Sequence, residues 1–122
     1  MKIAYAEQWL RFVFSSNATM QGSLGSSWQS LAVLVALIGE AANLARLAGM
    51  PAVEVAGLVG GAVYSVLISY EDVVLRVQPF DVKGHPLAVE DLTDHLMLER
   101  STNLMLEAIT AGGFALERSG IA

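Results

Sequence analysis

The chain contains no cysteine. Disulfides and thiolate-bound metals are therefore excluded, and cysteine usage leaves the redox compartment open. Basic residues are also scarce, with seven Lys and Arg against twelve Asp and Glu, a net charge of −5. A phosphate backbone needs clustered cations, so no nucleic-acid partner is expected. Charge of either sign is sparse, at 16% of residues, where an average soluble domain carries roughly 25%. The familiar chemical signatures are missing as well. There is no G-x-S-x-G elbow for a nucleophilic serine and no H-E-x-x-H zinc pattern. No Lys-Ser/Thr follows the glycines Gly57, Gly60 and Gly61, so they read as hairpin glycines rather than a phosphate loop. Glu40 and Glu54 stand alone, which leaves paired acid and base work without a partner. No enzyme activity and no cofactor are expected.

What the chain does have is apolar residues, 54% of its 122. That length suits one domain over residues 1 to 122. The most apolar stretch, Trp28 to Gly49, reads as one long helix whose few polar groups are Gln29, Ser30, Glu40, Asn43 and Arg46, of which Gln29, Glu40, Asn43 and Arg46 make a narrow stripe. Such a helix needs cover on two sides, and one sheet of this small chain covers only one. A homodimer built on this helix is therefore expected, with Leu34, Leu37, Ala41 and Leu44 at its interface and the stripe Gln29, Glu40, Asn43 and Arg46 as a shared partner-binding platform. Leu31 to Ala48 is about as long as a membrane span, but charges near its centre would each cost about 2.5–3.5 kcal/mol. No membrane insertion is expected. Met1 to Gln8 lacks the apolar core of a signal peptide, so the expected location is cytoplasmic.

Around this helix the pattern is mostly strand. Leu10, Phe12 and Phe14 alternate with Arg11, Val13 and Ser15, predicting a first strand. A turn at Asn17-Ala18 predicts an antiparallel return over Thr19 to Leu24. Ser26 or Ser27 is the candidate cap of the long helix, and Gly49 with Pro51 ends it. Ala52 to Pro79 is rich in valine and broken at Gly60-Gly61 and Tyr70-Glu71-Asp72, which predicts three strands: 52–59, 62–69 and 73–78. After a loop over Phe80 to Pro86, a second helix is predicted over Val89 to Ala111. There Met97, Leu98, Ser101, Leu104, Met105, Ala108 and Ile109 share one face. Met1 to Trp9 and the tail after Gly113 carry no decisive pattern. The expected fold is α/β (α+β): a five-stranded, mostly antiparallel sheet with two principal helices.

The hairpin LRFVFSSNATMQGSL, the helix SLAVLVALIGEAANLARLAG and the meander VEVAGLVGGAVYSVLISYEDVVLRVQ together resemble the Roadblock/dynein light chain family over Leu10 to Gln78. The chain departs from that pattern in having only Met1 to Trp9 before the first strand and Ser16-Asn17-Ala18 at the hairpin turn. The resemblance implies a dimer whose long helices pack together, serving as a non-catalytic platform for a small Ras-like GTPase or a motility or polarity complex.

One constellation competes with that expectation. His85, Glu90, Asp91, Asp94 and His95 fall within eleven residues, and Asp91 and His95 are one helical turn apart, a spacing that suits a divalent ion. The plainer reading is a solvated helix start, where acidic groups favour the positive end of the dipole, and no metal is expected. A ligand- or metal-binding module, or a self-assembling structural subunit, are the alternatives to an adaptor.

Overall fold

The computed structural model describes residues 1–57, 65–87 and 95–116. They form a mixed α+β fold, a six-stranded sheet with helical segments packed on it. The sheet has one strand more than expected and is mixed. The order is β1 (Lys2–Tyr5), β5 (Asn103–Ala111), β4 (Val73–Phe80), β3 (Val66–Tyr70) and β2 (Val53–Gly57), with the short β6 (Phe114–Ala115) also on β5. All pairs are antiparallel except β1 with β5.

The predicted N-terminal hairpin is helical instead. In α1 (Gln8–Val13) Leu10 and Val13 are buried, three apart, while Phe12 stays 52% exposed. A window of six residues fits either period, and packing selects the helical one. Ser16, read as part of a turn, is the N-cap of α2 (Asn17–Leu24): its side chain accepts from the Thr19 N–H at 3.1 Å. Met20 and Leu24, one turn apart, are buried there. Gly25 stops α2 with φ +59°, a conformation that favours glycine.

After a single 3₁₀ turn, α3 (Trp28–Glu40) begins where expected, and Leu31, Leu34 and Ile38 form its buried face. The Ser27 hydroxyl is not spent on capping; it donates to the Asp72 carboxylate. The expected single helix to Gly49 is interrupted. Ala41 is extended (ψ 132°), and Asn43 opens a separate helix α4 (Leu44–Ala48) by accepting from the Arg46 N–H at 2.9 Å. The carbonyls that end α3 are not left bare. The Met1 ammonium donates to Ile38 O at 2.9 Å and also to Ala41 O, placing a positive charge at the negative end of the helix.

The described part of the meander follows prediction: β2 and β3 fall where the first two strands were expected, β4 runs two residues further to Phe80, and the predicted break at Gly60-Gly61 lies outside the described residues. Val73, Leu75 and Val77 of β4 point into the core, while Val74, Arg76 and Gln78 face the other side of the sheet. The predicted helix over Val89 to Ala111 is overturned. Among the described residues of that span only His95–Arg100 is helical (α5), and Asn103–Ala111 is β5, between β4 on one side and β1 and β6 on the other. The misleading stripe has a local cause. Val77 pairs with Leu106 and Arg76 with Ala108, so Glu107 is an extra residue, a β-bulge. The bulge shifts the inward positions from Leu104 and Leu106 to Ile109, and the resulting spacing mimics a helix. Ala, Leu, Met and Glu favour helices in isolation, and sheet pairing overrides that preference.

Candidate functional site

The helices lie against the sheet face that carries Leu75, Val77, Leu104 and Ile109, and one cluster of buried side chains links them. This arrangement decides the fate of the expected dimer face. Leu34 and Leu44 are fully buried and Ala41 is 2% exposed, all within the chain's own core. They are not available as a surface for a second copy. Leu37 is half-buried, at the margin of the same core. What α3 presents to solvent is the next row, Val33 at 44% exposure together with exposed Ala36 and Gly39. Ala32 and Val35 flank it, half-buried.

The expected polar platform is dispersed. Gln29 and Glu40 are exposed at opposite ends of α3, and Arg46 is exposed on α4. Asn43 is committed to capping α4, so its amide serves local structure. The break at Ala41 also removes the three-residue spacing that would have aligned Glu40, Asn43 and Arg46. The run Asn17–Glu40 is long and apolar enough to cross a membrane by length and composition. It is not a straight rod, because Gly25 breaks it.

A second cluster was not signalled by the metal pattern. The β4 strand ends at Phe80, and Asp81, with only 7% of its surface exposed, organises the loop that follows. One carboxylate oxygen accepts from the backbone N–H groups of Lys83 and His85, both at 2.9 Å. The other lies 3.3 Å from His85 Nδ1 and 3.6 Å from an Arg100 guanidinium nitrogen. The His85 N–H above all, and that of Lys83, hold the Asp81 carboxyl below its usual range against the opposing effect of burial. Asn103 donates to Asp81 O at 3.1 Å, tying the loop to β5. The sequence cue was available: an aspartate opening D-V-K-G-H is turn chemistry, in which the side chain caps the backbone two and four residues on. Arg100 is brought in only by the fold.

His85 is thus paired with Asp81. Glu90, Asp91 and Asp94, and the side chain of His95, lie outside the described residues. Among the described residues no three His, Asp or Glu side chains group as metal ligands.

A third polar contact crosses the sheet. Bulged Glu107 accepts from the Ser65 hydroxyl at 2.5 Å, so β5 is fastened to the start of β3 across β4. Comparison with protein-family models, curated proteins and solved structures finds no match to this chain.

Proposed function

We propose that the chain is a non-catalytic, homodimeric adaptor that docks another protein in the cytoplasm without entering a bilayer. The observation that carries this reading is the solvent side of α3. Between Gln29 and Glu40 its exposed positions are Val33, Ala36 and Gly39, with no charged or amide group among them. Its opposite side is already buried in the core. An apolar row on a helix this regular is stabilised by covering it, and a second copy of the same row is self-complementary about a two-fold axis. The dimer face is therefore reassigned from Leu34, Ala41 and Leu44 to Val33, Ala36 and Leu37. Gln29 and Glu40, at the two ends of α3, then fringe that face, where polar groups of an interface belong. The partner class, a small Ras-like GTPase or a component of a motility or polarity complex, comes from the Roadblock resemblance alone.

Light scattering coupled to size exclusion tests the first half of this proposal. The natural chain should run as a dimer and Val33→Lys as a folded monomer. Affinity capture from cytoplasmic extract tests the second half, with Glu40→Lys/Arg46→Glu as the control. Recovery of the same partners at the same level by the control would remove those residues from the docking surface.

A further inference from the structure

Among the described strands β1 is an edge of the sheet, and it is the edge that carries positive charge. Ala6 N donates to Leu106 O at 2.9 Å, so the backbone groups of Ala4 and Lys2, in the same phase, also face β5. Alternation turns the N–H and C=O of Ile3 and Tyr5 the other way, where no described strand pairs with them. These groups open onto a groove of 450 Å³ lined by Ile3, Tyr5, Glu7, Gln8 and Arg11. Of the chain's seven basic residues, Arg11 lines this groove and Lys2 lies on the same strand edge, outside the groove. Lys2, exposed, stands on the face of the sheet away from the described helices, whereas Ile3 and Tyr5 pack toward the core. Arg11 stands on the helix side, close enough to Tyr5 to oppose the upward shift that burial imposes on its phenol. The single carboxylate in the groove, Glu7, already accepts from the Trp9 indole N–H.

We infer that β1 takes an extended acidic segment of the docked partner as an added strand. The inference rests on the adaptor reading and supplies the chemistry of its partner. An exposed edge with unpaired N–H and C=O groups provides affinity along the backbone, and the flanking side chains provide selection. The geometry also sets a spacing. Lys2 and Tyr5 are three residues apart, about 10 Å along a strand, and an odd separation puts side chains on opposite faces. The preferred segment therefore carries its carboxylates three residues apart, one for Lys2 on the open face and one for Arg11 on the helix face.

Fluorescence polarisation with the labelled peptide TVEVVDVT and the natural dimer tests this directly. Saturable binding is expected, weakened by salt because the charges are exposed. Shifting the acids to a two-residue spacing, as in TVEVDVVT, or making the variant Lys2→Glu/Arg11→Glu, should weaken binding by about tenfold or more, equivalent to about 1.4 kcal/mol. The charge-inverted peptide TVKVVKVT should bind that variant better than the natural chain. N-methylation of alternate peptide residues should abolish binding in one phase and be tolerated in the other, because only one set of N–H groups faces β1. Equal binding by both methylated phases, or no binding of TVEVVDVT to a natural chain that light scattering shows to be dimeric, would overturn the inference. A monomeric natural chain that still bound the peptide with this pattern would leave the strand site standing and refute the dimer reading instead.

Discussion

Replacing Leu34 by alanine separates a core position from an interface position. Leu34 is fully buried in the chain's own core, on the same face of α3 as Leu31 and Ile38. Truncation removes three carbon atoms from a packed site, a change that costs about 2–5 kcal/mol with the cavity it leaves. For 122 residues, an unfolding entropy of about 2.1 cal/mol/K per residue sums to about 0.26 kcal/mol/K, so a loss of about 3 kcal/mol lowers Tm by about 12 °C. Thermal unfolding followed by circular dichroism measures the shift, and light scattering run in parallel measures the oligomeric state. The variant should be markedly less stable and, below its own Tm, unchanged in mass. A Leu34→Ala protein that melted within about 2 °C of the natural chain, yet lost its dimer, would mean that this leucine faces a second copy. The packing derived above would then be wrong.

Three further outcomes follow from single interactions. Asn43→Ala removes the cap of α4 and should cost about 1 kcal/mol, or about 4 °C in Tm, whereas Asn43→Asp retains an acceptor and should cost little. Acid should act through Asp81: because its carboxyl is held below the usual range in the fold, its stabilisation is present above the unfolded value of about 3.9 and is lost as pH falls below it. Urea midpoints between neutral pH and pH 3 should accordingly fall less steeply for Asp81→Asn than for the natural chain, and parallel curves would exclude this carboxylate as an acid-sensitive support. Ser16→Ala should destabilise α2 by about 0.5–2 kcal/mol, and an unchanged urea midpoint would show that the Thr19 N–H is as well satisfied by water.

Two of the places where sequence expectation and structure part company share a cause. Leu10 to Phe14 satisfies both a two-residue and a helical period within five residues, and only the contact of Leu10 and Val13 with the rest of the core selects between them. At Asn103–Ala111 the residues are intrinsically helix-forming and the bulge at Glu107 disguises the alternation. The partners of that strand, β4 and the N-terminal β1, lie far away in sequence, where no local window sees them. The polar stripe on the long helix failed for a different reason. Asn43 can hydrogen-bond its own backbone, and this local bond competes with helix continuation. The Asp81 loop was half legible: its turn chemistry is written in consecutive residues, but Arg100 arrives from α5.

What the sequence determined by itself is whatever follows from composition and from short-range chemistry. That includes the absence of thiol chemistry, the acidic balance, the α3 start near Trp28, the turn around Glu71 and Asp72, and the valine-rich meander, because side-chain type and neighbouring backbone suffice for each. Tertiary structure alone decided which apolar side of α3 is core and which is surface, turning Leu34 inward and leaving Val33 outside. It also decided that β1 is the outermost described strand on its side of the sheet, beside Arg11. An apolar helix is nearly symmetric in its preference for burial, so the choice of face is made only when a sheet assembled from distant segments arrives to cover one side.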